Sequence, residues 1–179
     1  MFNGGIMKIR NVILALFMSM AHVFAGDLYS LEVVKTDGEK LKLADLKGKT
    51  VLFVNVATRC GYTGQLDDLE KLYQKYKAKN FMIVGVPSND FGGQTPEGNK
   101  EVAKFCRLKY GVTFPLTTKT PVIGNKKPEL IKLLLNGGGD IGWNFEKFLV
   151  NKEGKVVGRF KSSVTPLSND LTKKIESIL

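Results

Sequence analysis

A parallel crossover is written into the first half of this chain. Thr50–Val56 is an apolar run of strand length, and Phe81–Val86 is a second. Between them Leu66, Leu69, Leu72, Tyr73 and Tyr76 recur at helical spacing. Strands this apolar are buried on both faces and belong at the centre of a sheet. Strand, helix and strand in that order imply a parallel pair joined by a crossover helix. The remaining segments extend that unit. Leu31–Val34 and Lys40–Leu43 flank Asp37-Gly38, a hairpin signal. Trp143–Val150 and Lys155–Phe160 read as a second antiparallel hairpin across the turn residues Asn151–Gly154. Glu97–Tyr110 and Glu129–Leu135 have helical patterns, and a last helix runs from a Ser168 cap to Leu179. The expectation is one α/β domain with a central mixed β-sheet flanked by helices on both faces, preceded by an N-terminal β-hairpin. The chain has no internal repeat, linker or low-complexity segment.

Residues 1–25 do not fit that domain. Lys8 and Arg10 precede the apolar stretch Val12–Met20, and Ala21–Ala25 ends in small residues. This pattern predicts a secretory signal cleaved after Ala25, leaving residues 26–179 as the mature domain. The apolar run is shorter than the roughly 20 residues that span a bilayer, so no stable membrane anchor is expected. Met7 is an alternative start to Met1, because residues 1–6 add nothing to the pattern. Export places the domain in a bacterial periplasm first, with the endoplasmic reticulum or secretion as alternatives.

Charge removes one function class. Cleavage leaves 25 basic residues against 17 acidic ones, a net charge of +8. The basic residues are spread along the chain rather than gathered in a patch, so nucleic acid is not an expected partner. A diffuse positive field still suits an acidic protein partner. The single histidine, His22, lies in the signal. The mature chain therefore has neither a Cys-His pair nor a histidine metal site, and no metal or cofactor is expected.

Cys60 carries the chemistry. It stands in Asn55-Val56-Ala57-Thr58-Arg59-Cys60-Gly61-Tyr62-Thr63, between a buried strand and an amphipathic helix. Unpaired N–H groups and the dipole at a helix start favour a thiolate. The only other cysteine, Cys106, lies in a later helical segment. Three readings are open on the residues alone: a reactive thiol with a resolving partner, a structural disulfide, or two inert buried thiols.

Three segments together resemble the glutathione peroxidase family. They are Asn55–Thr63, Pro87-Ser88-Asn89-Asp90-Phe91-Gly92-Gly93-Gln94-Thr95-Pro96, and Trp143-Asn144-Phe145-Glu146-Lys147-Phe148-Leu149-Val150. Their order and spacing are those of the family, and the similarity runs from about Tyr29 to the C-terminus. The resemblance implies a thioredoxin-like fold and reduction of hydrogen peroxide or organic hydroperoxides. It makes Cys60 the peroxidatic residue and Gln94, Trp143 and Asn144 its amide, indole and amide neighbours. It also makes Cys106 the resolving cysteine, so that a thioredoxin-like dithiol or glutathione restores the enzyme. The stretch between Lys126 and Trp143 lacks the loop that supports tetramers in some members, so a monomer is expected.

Those roles suit the residue types. An ordinary thiol is only a few per cent ionised at neutral pH. With no histidine or adjacent acid, its activation falls to the helix start and to the neutral N–H donors of Gln94, Asn144 and Trp143. Arg59 adds a positive charge whose direction is open. A cysteine inside a helix is seldom within the Cα separation of about 7 Å that a disulfide allows, so α-helical structure around Cys106 is expected to unwind in each cycle. The chain departs from the family pattern at Gly64, which replaces a common proline, and at Ser88 and Asp90, which replace a frequent cysteine and glutamine. Asp90 brings a negative charge toward the site. The alternatives to a peroxidase are a peroxide sensor that relays its disulfide to a partner, and a binding module without turnover. A peroxiredoxin would need threonine at position 57, which is Ala57, and a disulfide exchanger would need cysteine at position 63, which is Thr63.

Overall fold

The computed structural model describes Met1 and residues 27–179; the predicted signal and its cleavage site lie outside the described residues. The hairpin forms first, from β1 (Glu32–Val34) and β2 (Lys40–Lys42), which pair antiparallel as a separate two-stranded sheet. Asp37 holds the turn by accepting the Glu39 N–H at 3.0 Å. Then follow β3 (Thr50–Val56), α1 (Gln65–Tyr76), β4 (Phe81–Pro87), α2 (Asn99–Tyr110), α3 (Glu129–Leu135), β5 (Lys147–Val150), β6 (Val156–Phe160) and α4 (Asn169–Glu176).

The second sheet has the order β4-β3-β5-β6. β3 and β4 are parallel, as the crossover requires, and β5 and β6 add antiparallel neighbours. Every residue of β3 is buried, which is why that strand is apolar on both faces. Leu52, Val54 and Val56 point to one core with Leu66, Leu69 and Leu72 of α1, Val102 of α2, and Leu171 and Ile175 of α4. Val51 and Phe53 point to the other, with Leu43, Leu46 and the apolar side of α3. Both cysteines belong to the first of these cores.

The outer edge of β4 is covered by the chain that follows α2. Gly85 donates to the Pro115 carbonyl and accepts from Thr117, both at 2.9 Å. A Cβ at Gly85 would stand 2.5 Å from Leu116, so this close approach requires glycine.

Two sequence expectations change. The strand expected over Trp143–Val150 begins only at Lys147. Phe145 adopts a left-handed conformation (φ 65°), which breaks the strand and leaves residues 143–146 as a separate turn. The last helix ends at Glu176 rather than Leu179, and the Ser168 hydroxyl makes no capping bond; its backbone carbonyl instead accepts from Thr172.

Candidate active site

Cys60 sits where β3 has ended and α1 has not begun. A run of turns from Cys60 to Gly64 leads into the helix: Thr63, Gln65, Leu66 and Asp67 each donate to the carbonyl three residues back. The sequence placed Cys60 directly at a helix start; in the structure four residues separate them. The N–H that reaches the sulfur belongs to this turn, from Tyr62 to Sγ at 3.4 Å. Thr63 fixes the loop from inside, accepting the Cys60 N–H at 2.9 Å and donating to the Ala57 carbonyl at 3.0 Å. Cys60 is 8% exposed and is a free thiol.

The Gln94 segment is sewn to this loop. The Gln94 carbonyl accepts the N–H groups of Thr58 and Arg59 at 3.2 and 2.9 Å, and the Thr58 hydroxyl at 3.2 Å. Asn89 closes the segment by accepting the Thr95 N–H at 2.7 Å. The third segment arrives from the far end of the chain. Asn55, a polar residue near the end of β3, accepts the Glu146 N–H with its side chain at 2.9 Å, while its carbonyl accepts the Phe145 N–H at 2.7 Å. The left-handed turn held there carries Asn144, whose amide donates to the Gln94 side-chain carbonyl at 2.9 Å. The three sequence segments thus meet at one end of β3.

Trp143 packs on Phe91 with ring centroids 5.3 Å apart and remains 42% exposed. With Tyr62, Glu146, Arg159, Lys161 and Ser162 it lines a cleft of about 640 Å³. Tyr62, whose N–H meets Sγ, and Trp143 are the two residues that this cleft shares with the Cys60 region; Cys60, Gln94 and Asn144 do not line it. Glu146 and Arg159 form an ion pair in its wall, and Arg159 also donates to the carbonyls of Gly139 and Asp140 at 2.8 Å.

Two charges near Cys60 are turned aside. Arg59 pairs with Glu97 (Nε to Oε1, 2.7 Å). The Asp90 carboxylate accepts the backbone N–H groups of Val122 and Ile123 at 2.6 and 3.3 Å, so it serves the 122–123 turn. Ser88, fully buried, accepts the Asp90 N–H at 3.2 Å. Gly64 has φ −57° and ψ −21°, an ordinary helical conformation with open space around it.

Cys106 lies in the third turn of α2, 1% exposed. Burial pushes its thiol up to about 12, Arg107 opposes that, and the charge of Glu97 adds to it. A thiol in that state is a poor nucleophile.

Sequence reasoning missed Asn55, Glu97 and Lys147. Lys147 is fully buried, with Nζ bonded to the Gln65 side chain at 2.6 Å and the Val164 carbonyl at 2.5 Å. A polar residue inside an apolar strand was the available signal for Asn55 and Lys147; nothing marked Glu97.

Comparison with known proteins places the chain in one family. The family model described as glutathione peroxidase matches residues 28–135. Glutathione peroxidase-like peroxiredoxin 2 of Saccharomyces cerevisiae is 46% identical over 157 residues, covering 84% of this chain and 96% of its own. The crystal structure of Trgpx in apo form superposes with a TM-score of 0.68 at 32% identity, covering 86% of this chain and 95% of that one. A thioredoxin-family thiol:disulfide interchange protein from Chlorobium tepidum matches at TM-score 0.65 and 21% identity, covering 83% and 92%; it shares the thioredoxin-like fold. With that fold, and with its three signature segments meeting at one end of β3, the chain belongs to the glutathione peroxidase family of peroxidases.

Proposed function

We propose that the protein reduces hydrogen peroxide and organic hydroperoxides at Cys60 and is restored through Cys106 by a thioredoxin-like dithiol. The observation that carries this reading is the bond between Asn144 and Gln94, together with the Gln94 carbonyl bonds to the two residues before Cys60. They support a reading in which these side chains supply donors to a thiol that has no histidine among the described residues. The Cys60 thiolate attacks one peroxide oxygen, and the O–O bond breaks. Sulfur loses two electrons and becomes a sulfenic acid; the other oxygen takes the electron pair and a proton, leaving as water or an alcohol. Donors at Gln94, Asn144 and Trp143 stabilise the charge that develops on that oxygen. The cleft beside Tyr62 and Trp143 is far larger than hydrogen peroxide needs, which favours organic hydroperoxides among the substrates.

Cys106 then attacks the Cys60 sulfur. Its thiol proton and the sulfenic hydroxyl leave together as water, and a disulfide remains. An external dithiol reduces that disulfide by exchange and is itself oxidised. Burial of Cys106 within α2 means that the helix opens locally before this step. The residue pattern at positions 1–25 favours export to a periplasm, with the domain acting as a monomer on a reductant of that compartment. Steady-state peroxide consumption with reduced thioredoxin and with glutathione tests the assignment. Thioredoxin should support faster turnover than glutathione, and Cys106→Ser should abolish that advantage. Equal turnover of Cys106→Ser with thioredoxin would exclude Cys106 as the resolving residue.

A further inference from the structure

The segment that carries Cys106 is tied at its base. The Asn99 side chain accepts the Lys119 N–H at 2.7 Å, and Lys119 Nζ donates to the carbonyls of Thr95 and Glu97 at 3.1 and 2.8 Å. The chain just before Lys119 is held on the edge of β4 through Gly85. Gly98, at the N-cap of α2, has no side chain with which to cap the helix. Glu97, next to it, fastens this start of α2 to the Cys60 loop: Oε2 accepts the Thr58 hydroxyl at 2.6 Å and Oε1 accepts Arg59 Nε at 2.7 Å.

We propose that Glu97 is a positioning residue for disulfide formation: its carboxylate latches the start of α2 to Thr58 and Arg59, keeps Cys106 folded away from Cys60, and so limits the rate of the resolving step. The inference rests on the reading of Cys106 as the resolving cysteine. Its logic is one of local stability. Cys106 is buried inside wound α2, and bonds that hold the start of α2 in place oppose its opening. The Glu97 carboxylate bonds Thr58 and Arg59 and the Cys60 sulfur meets the Tyr62 N–H, so peroxide attack does not depend on Glu97.

The latch carries charge. Burial alone would raise the Glu97 carboxyl, but hydrogen bonds from Thr58, from its own backbone N–H and from Arg59 outweigh it and hold the group below the ordinary carboxylate range. The charged and titratable groups around it are Arg59 from the Cys60 loop, Lys119 on its carbonyl, Cys106 of α2, and Glu101 of α2, whose carboxylate lies over Gly98. A carboxyl lowered in the folded state stabilises that state above its unfolded value and stops doing so as pH falls through the folded one. The latch is therefore closed at neutral pH and released in acid.

The test measures two rates on the purified, reduced protein mixed with one equivalent of hydrogen peroxide, using Trp143 fluorescence with quenched samples weighed by mass spectrometry. In Glu97→Gln and in Arg59→Gln, sulfenic acid formation should stay within about twofold of wild type, while disulfide formation should be roughly three- to tenfold faster. The double variant should be no faster than Glu97→Gln alone, because that change already removes the pair with Arg59. The gap between wild type and Glu97→Gln should close as pH falls through the carboxylate range. Unchanged or slower disulfide formation in Glu97→Gln, or a gap independent of pH, would overturn the latch. Cys106→Ser separates the two claims. If it stalls as a sulfenic acid while Glu97→Gln resolves at the wild-type rate, only the latch fails; if it cycles like wild type, the resolving role of Cys106 fails first.

Discussion

The Asn144 amide donates to the side-chain carbonyl of Gln94 at 2.9 Å, although fifty residues separate them in the chain. This bond orients both amides. It directs the Gln94 oxygen to Asn144 and leaves the Gln94 NH₂ group to face other acceptors. Replacing Asn144 by alanine removes one donor and releases the other. The second-order rate of Cys60 oxidation by hydrogen peroxide should fall about tenfold to a hundredfold, the range for loss of a preorganised donor. Stopped-flow oxidation measures it, with a thermal melt to confirm that the variant folds. A wild-type rate in the folded variant would remove Asn144 from the chemistry.

Oxidation should loosen α2. Cys106 is buried within an intact helix when reduced, and the proposed cycle takes it out of that helix to pair with Cys60. Backbone amides in residues 99–110 should exchange with solvent much faster in the oxidised protein than in the reduced one. Hydrogen exchange by mass spectrometry reads this directly. Equal protection in both forms would mean that Cys106 does not travel.

Gly64 is a candidate for stabilisation. Its φ of −57° suits any residue, and a Cβ there would meet nothing within 4 Å. Gly64→Ala should raise stability by about 0.4–1 kcal/mol by restricting the unfolded chain. Urea denaturation measures the change. A loss of stability would show that the Cys60 loop needs the glycine's freedom.

Lys147 should leave a signature in alkaline stability. Burial lowers its amine from the ordinary 10.5 to about 8, with Glu146 opposing the shift. Between those values the unfolded chain binds more protons than the folded one, so stability from this group rises with pH. Relative to Lys147→Met, the wild type should gain up to about 3 kcal/mol between pH 8 and 10.5. A difference that stays flat over that window would contradict the buried charge.

Much of this architecture was legible in the sequence because burial dictates it. The apolar runs of β3 and β4 and the helical spacing of α1 left one arrangement, and the Asp37-Gly38 turn marked the hairpin. The errors lie where backbone sign or tertiary pairing decides. Trp143–Glu146 has the composition of a strand, but the positive φ of Phe145 is not written in its hydrophobicity. Cys60 could be placed before a helix from pattern alone; the turn whose Tyr62 N–H meets the sulfur could not. Glu97 reads as a loop acid until its partners, Thr58 and Arg59, are seen beside it. The family resemblance named Gln94, Trp143 and Asn144, while the bond between the two amides appears only in three dimensions.

The central claim is that Cys60 is the nucleophile that breaks the O–O bond. Its most direct test is peroxide consumption by the reduced protein and by Cys60→Ser, each mixed with one equivalent of hydrogen peroxide and then weighed intact. The wild type should consume the peroxide and lose two hydrogens as both thiols disappear, while Cys60→Ser should consume almost none and keep Cys106 reduced. Consumption by Cys60→Ser at the wild-type rate would contradict the account.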